Sequence, residues 1–426
     1  MSIKRNTFWN IAGTALPLLL GVITIPYLLG KAGVEAFGIL TLLWALIGYF
    51  GLFDFGLGRA LTQQVAATRA SGAISLLPNL IKSGILFTAI AGLIGGIILA
   101  AVAHELSMNW LNISTGLQSD AWMALLIAAA GIPLTTITAG LRGVLEAYED
   151  FKTVNLLRVV LGMANFGLPA LSVIFISNSL IWMVVSLILA RLVVVILHAW
   201  VVYKKLRGIW LPATVTRKNL DSLLSFGAWM TVSNIISPLM VIADRFVISA
   251  LLGASAVAYY TVPFEALIRV TIIPGALAGA LFPRLATIIN NNTSESHRLY
   301  RKSLLHVIQV LLPICMVLIL GSNIGLGLWL GPEFAKNSWI IVCVMAVGLF
   351  FNGVAFIPYA VIQATGNARL TALLHIFELI IYIPVLLVSI NNFGLIGAAI
   401  AWSFRTAVDA MLLLLVSQKY VSKKAV

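Results

Sequence analysis

The chain runs to 426 residues, of which 61% are hydrophobic and only 10% charged, with a mean hydropathy of +1.05. Soluble domains carry roughly 25% charged residues, so this composition excludes a water-soluble protein with large buried helices: the polar surface to cover it is missing. The net charge of +13 invites a nucleic-acid partner, but Lys and Arg fall on alternate connections between apolar runs, which is the positive-inside signature of a multi-pass membrane protein and not a binding patch.

Lys4 and Arg5 precede the first apolar run and place the N-terminus in the cytoplasm. Residues 7–29 and 36–58 are predicted as a transmembrane hairpin, broken by Gly30 to Gly33. Each run has about 23 residues, enough at 1.5 Å rise per residue to cross about 30 Å of hydrocarbon. The first run is too long for a signal-peptide core and is expected to remain as span one. Residues 59–82 are cytoplasmic, with Arg59, Arg69 and Lys82; span three is 83–103; the outside loop His104 to Asp120 has no Lys or Arg; span four is 121–145. A cytoplasmic turn with Glu146, Asp150 and Lys152 leads to span five (153–176), an outside turn at Ser177 to Ser179, and span six (180–203), which ends in Lys204-Lys205-Leu206-Arg207. Residues 208–221 read as a basic cytoplasmic linker between an N-terminal bundle (1–207) and a C-terminal one (222–426). Span seven is 225–250. Span eight, 258–289, is interrupted by Pro263, Pro274 and Pro283. A cytoplasmic loop Asn290 to Lys302, span nine (303–330), an outside loop Gly331 to Ser338, and spans ten (339–362), eleven (370–390) and twelve (394–417) complete the chain, and Lys419, Lys423 and Lys424 keep the C-terminus inside. The expected fold is thus an all-α integral membrane protein of about 12 transmembrane helices. Cys315 and Cys343 both lie in apolar runs and read as small core residues, not as a disulfide or metal pair.

The halves repeat. Val144-Leu145-Glu146-Ala147, Lys152 and Leu156-Leu157-Arg158 match Val361-Ile362-Gln363-Ala364, Arg369 and Leu373-Leu374-His375 at identical spacing; Gly30, Val34 and Phe37 match Gly253, Val257 and Tyr260; Arg191 matches Arg405. Six spans per copy gives both copies one orientation, hence two parallel six-helix bundles related by an axis along the membrane normal, a transporter arrangement.

Leu29-Gly30 with Glu35-Ala36-Phe37-Gly38, then Asp54-Phe55-Gly56-Leu57-Gly58, then Asp244-Arg245-Phe246-Val247-Ile248 with Leu252-Gly253 and Tyr259-Tyr260, then Gln363-Ala364-Thr365-Gly366-Asn367 follow one another along the chain. In order and spacing they resemble a Wzx-type polysaccharide or O-antigen repeat-unit flippase, of the superfamily that also holds multidrug exporters and lipid II flippases. The resemblance implies an inverted-V transporter in the bacterial inner membrane that moves undecaprenyl-pyrophosphate-linked oligosaccharide from the cytoplasmic to the periplasmic leaflet by alternating access. Its partners would be membrane lipids and, beside the cargo, a polysaccharide polymerase and a chain-length regulator. No cofactor is implied. Two other readings stand beside it: a cation-coupled drug or metabolite exporter of the same superfamily, and a membrane polysaccharide polymerase or ligase.

Charges within the spans are the candidate site, because a charged side chain at mid-bilayer costs about 2.5–3.5 kcal/mol even on a lenient scale. Arginines suit the pyrophosphate through bidentate contacts. Arg191 is deep in span six with His198 on its face, open either to a cavity or to a carboxylate of another span. Arg405 with Asp409, and Glu265 with Arg269, are spaced i, i+4 and can pair. Asp244 and Arg245 are adjacent, so one of them faces a cleft. Arg59, Arg142, Arg158 and Arg284 lie near the cytoplasmic interface, either snorkelling or forming a basic vestibule. Glu378, with His375 on its face, reads as an isolated buried carboxylate suited to coupling, and Asp54 as a cap, kink or pairing residue; Asp244, Glu265 and Asp409 complete the coupling or gating candidates. Prolines 17, 26, 133, 169, 238, 263, 274, 358 and 384 interrupt spans and offer hinges. There is no phosphate-binding G-x-x-x-x-G-K-[ST], no nucleophile elbow and no metal-ligand spacing in the sequence, so ATP-driven transport, hydrolysis and a metal centre are not expected.

Overall fold

A computed structural model describes residues 3–50, 57–70, 72–148, 150–206, 214, 243–288, 293–365 and 368–421. Apart from short turns and links the described residues are helical, as lipid demands of a chain that must satisfy its own backbone. They divide into two compact units, Met1–Leu239 with Gly253–Ser255, and Met240–Leu252 with Ala256–Val426. The linker expected at 208–221 lies outside the described residues except for Thr214, as does most of span seven.

In the first unit α1 (Ile3–Ala32) and α2 (Val34–Phe50) form the opening hairpin. A short polar helix, α3 (Leu57–Ala70), occupies part of the expected cytoplasmic stretch; its Leu61 and Val65 pack into a core with Ile81 of α4 (Leu77–Glu105), Val144 of α5 (Thr115–Ala147) and Val202 of α7 (Leu180–Lys205). Between α5 and α7 lies α6 (Phe151–Phe175), N-capped by Asp150, which accepts from the Thr153 backbone N–H at 3.3 Å and its hydroxyl at 2.9 Å. Helices α4 and α5 press together where small residues meet: a Cβ on Gly92 would lie 2.6 Å from the Pro133 Cα, and one on Gly96 2.8 Å from the Ala129 carbonyl oxygen. Close backbone approach of this kind is how helices associate without a hydrophobic drive between them.

The second unit holds α8 (243–252), α9 (Ala254–Ile268, all but its first two residues), a 3-10 turn Arg269–Thr271, α10 (Ile272–Ile288), α11 (Thr293–Leu330), α12 (Pro332–Ala364) and α13 (Ala368–Val421). The 3-10 turn falls just before Pro274, whose missing N–H cannot serve the preceding helical turn. By contrast the helices run through Pro17, Pro26, Pro133, Pro169, Pro263, Pro358 and Pro384. Helix α13 is two limbs joined at Gly394 (φ 58, ψ −138), a conformation that side chains with a Cβ avoid; these limbs are spans eleven and twelve.

By length and composition eight segments qualify as membrane spans among the described residues, the last covering both limbs of α13, and Leu19–Ala32 and Val34–Ile47 are shorter apolar pieces of the opening hairpin. Two expected loops are not loops. Residues 290–302 become helical at Thr293, and Gly331 alone joins α11 to α12. Their polar residues ride helix ends that extend past the apolar window, and Pro332 and Glu333 favour a helix start. Helix α11 is 38 residues long, with Val317, Leu320, Ile324 and Leu328 between 69% and 85% exposed, so it offers most of one face to lipid.

The repeat is visible in the elements. Both α5 and α12 are 33 residues long and end at the matched alanines Ala147 and Ala364. The turn between α1 and α2 sits on Gly33 (φ 86) and that between α8 and α9 on Gly253 (φ 91). Gly253 therefore corresponds to Gly33, three residues from the Gly30 match read in the sequence.

Candidate functional site

The two units carry their buried charge differently. In the first, Arg191 on α7 is 6% exposed. Its Nη1 donates to Asn165 Oδ1 on α6 and to the Leu187 carbonyl, both at 3.3 Å. These partners are neutral and the bonds long, and no carboxylate is within ion-pair distance of Arg191 among the described residues. Two turns further along the same face, His198 is buried with its Nδ1 2.8 Å from the Val194 carbonyl. Of the two alternatives raised by the sequence, a carboxylate partner is not seen among the described residues, and Asn165 was not singled out: an amide on a neighbouring helix leaves no charge signal in a sequence.

At the ends of α5, α6 and α7 the polar contacts are of another kind. Arg142 pairs with Glu146 at 3.5 Å, one turn on, and Lys205 with Asp150 at 2.9 Å. Arg69 of α3 donates to the Ala147 carbonyl at the end of α5, with its guanidinium 4.1 Å from the Tyr148 ring centre. Burial pushes the Asp150 carboxyl up, but the Lys205 ammonium and the Thr153 donors outweigh it and hold the group below its ordinary value. The side chains of Arg59 and Arg284, and all of Asp54, lie outside the described residues.

In the second unit the charges form a network. Asp244 and Arg245 of α8 are both buried, at 1% and 4% exposure. Asp244 accepts from the Arg245 backbone N–H at 2.7 Å and from the Tyr260 hydroxyl at 2.8 Å. Arg245 donates to Glu265 Oε1 at 2.7 Å, and Glu265 Oε2 lies 3.4 Å from Arg269. So the expected Glu265–Arg269 pair exists, but Arg245 holds the shorter bond to the same carboxylate. Adjacent residues do find partners in one network here, because the Asp244 carboxylate turns back onto its neighbour's N–H. Phe264 meets Trp402 edge-on at 5.2 Å, joining α9 to the second limb of α13.

Between the limbs of α13 lies a narrow cleft of about 20 Å³, walled by Phe377, Ile381, Tyr382 and Phe404 with Glu378 and Arg405 as its charged members. The Arg405 guanidinium stands 5.3 Å from the Tyr382 ring centre. Glu378 is 5% exposed and is not isolated, as its sequence neighbourhood suggested: the ligating atoms of His375, Glu378 and Asp409 all lie within 4.8 Å of one another. Asp409 was expected to answer Arg405 one turn away; the structure instead sets it beside Glu378 on the other limb. Tyr260 and Tyr382 were missed as site residues, although both are fully enclosed and each touches an ionised group.

Comparison with known proteins adds the following. The family described as polysaccharide biosynthesis protein matches residues 3–289. A Shigella flexneri protein described as an O-antigen transporter is 36% identical over 415 residues, 97% of each chain. Among solved structures, an inward-facing multidrug resistance MATE family transporter of the MOP superfamily superposes with a TM-score of 0.80, covering 99% of this chain and 95% of that one at 15% identity. The lipid II flippase MurJ in its inward closed conformation gives 0.74 over 96% and 87%, also at 15% identity. The two structures share the fold.

Proposed function

We propose that this chain, which belongs to the polysaccharide biosynthesis protein family, is a flippase for lipid-linked oligosaccharide and not an enzyme. It is a multi-pass, all-α membrane protein with a transporter fold. The cargo has a polar glycan and an anionic phosphate bridge, neither of which crosses hydrocarbon unaided, while its lipid tail can stay in the bilayer. The observation that carries the reading is Arg191: a buried guanidinium in an apolar unit, held by two long bonds to neutral oxygens. Such a group keeps donors and an unbalanced charge for an incoming phosphate.

In this reading the carrier is undecaprenyl pyrophosphate, moved from the cytoplasmic to the periplasmic leaflet of a bacterial inner membrane, with both termini cytoplasmic. Residues 1–207 and 222–426 are the two bundles and 208–221 links them. Arg191, Arg405, Arg245 and Arg269 meet the phosphates, Arg59, Arg142 and Arg284 form the cytoplasmic entry, and Asp54, Asp244, Glu265, Glu378 and Asp409 govern gating. When phosphate arrives, the Arg245 and Arg269 contacts to Glu265 are the ones to exchange. A polysaccharide polymerase and a chain-length regulator take the product onward.

Arg191→Ala and Arg405→Ala, placed in the chromosome of the source strain, are expected each to lower surface polysaccharide at least about tenfold while the protein reaches the membrane in normal amount. Lys at 191 restores the charge without the fork and gives an intermediate yield. Full surface polymer in both alanine variants removes the phosphate-contact role.

A further inference from the structure

We propose that His375, Glu378 and Asp409 form a binding site for one divalent transition-metal ion of the zinc, cobalt or manganese class, bridging the two limbs of α13. The three side chains come from two places in the chain. His375 and Glu378 are spaced i, i+3 on the first limb and share a face; Asp409 reaches them from the second limb, after the turn at Gly394. Their donor atoms lie within 4.8 Å of one another. An ion with bonds of about 2.0–2.2 Å in tetrahedral geometry holds its donors roughly 3.4 Å apart, so sub-ångström rotamer adjustments close the site.

Surface carboxylates cluster often without a metal, but Glu378 is not at the surface. It is 5% exposed and within hydrogen-bond reach of the Asp409 carboxyl; its Oε1 and the buried Asp409 Oδ1 find no donor unless the two carboxyls share a proton. A buried carboxylate oxygen left unmet is costly, and both lie where the imidazole of His375 supplies the third donor. The donor set selects the ion. Two carboxylates alone would suit magnesium or calcium, whereas an added imidazole favours a transition metal. Arg405, one turn from Asp409, offsets one of the two carboxylates and leaves the group acidic enough for a cation. Three protein donors leave coordination positions open.

The site is read by metal binding alone, so its fate is separate from that of the transport reading. Full-length protein in detergent, stripped with chelator, is titrated with Zn²⁺ and Co²⁺ against a chromophoric competitor. The expected result is one ion per chain with micromolar or tighter affinity, a Co²⁺ absorption spectrum of low coordination number, and a higher melting temperature on loading. Glu378→Gln, Asp409→Asn and His375→Ala each weaken binding at least tenfold and abolish the rise in melting temperature, while Glu105→Gln, outside the cluster, changes neither. Each variant is first shown to be monodisperse with a cooperative melt; should one fail, the other two carry the test. Absence of stoichiometric binding in the wild type overturns the proposal and leaves the two carboxylates to be held by a shared proton. So does wild-type affinity in the folded variants.

Discussion

Arg191 and Arg405 occupy matched positions in the two halves, yet their company differs: an amide and a carbonyl for one, a carboxylate, a tyrosine ring and a cleft for the other. Position in a repeat therefore does not decide a residue's surroundings; the packing of each half does. Asp150 shows the same point at the end of a helix. It caps α6 and pairs with Lys205 at once. A carboxyl lowered by folding contributes stability that is fully present above its unfolded value, about 3.9, and that is lost as pH falls through the lowered folded value. Asp150→Asn keeps the cap oxygen but loses the charge, so its melting temperature is expected below wild type at pH 7, with the two curves converging as the pH drops under about 4. A gap independent of pH means the Lys205 pair contributes nothing.

At the scale of elements, Gly394 and the α4–α5 contact do different jobs. Nothing lies within 4 Å of a Cβ built on Gly394, so Gly394→Ala meets no clash and pays only for its backbone, of order 1–3 kcal/mol. Gly321, in the body of α11, is just as open but has ordinary helical geometry, and Gly321→Ala is expected to be neutral or slightly stabilising. Thermal melting of the pair separates conformational strain from crowding; equal loss in both rejects the strain account. The helices themselves were legible as apolar runs, but Gly394 was read as the first residue of span twelve and not as the joint between the last two. The loops at 290–302 and 331–338 were misread because hydropathy marks where lipid ends, not where hydrogen bonding ends. The Glu265–Arg269 pair was legible because i, i+4 neighbours are local. The junction of Asp409 with His375 and Glu378 was not, since it needs the chain to fold back at Gly394, and Tyr260 under Asp244 needs α8 and α9 to pack.

For the whole molecule, a fold shared with both a drug exporter and a lipid II flippase at 15% identity does not choose the cargo. The distribution of Lys and Arg predicts an orientation with both termini cytoplasmic, and it can be checked. In a background with Cys315→Ala and Cys343→Ala, Asn178→Cys in the exposed turn before α7 is expected to react with a membrane-impermeant thiol reagent on intact cells. Thr214→Cys is expected to react only after permeabilisation. The opposite pattern reverses the orientation and with it the direction assigned to the cargo.

Helix α11 has a mechanical consequence. At 1.5 Å per residue its 38 residues measure about 57 Å, nearly twice the hydrocarbon thickness. Its exposed apolar flank suits acyl chains, while its first turns carry Arg298, Arg301 and Lys302, three cations suited to anionic headgroups. Such a helix is moored: it cannot bob along the bilayer normal without dragging charge into oil at one end or oil-loving residues into water at the other. Whatever else in the second unit tilts or slides, α11 sets the waterline against which that motion is made.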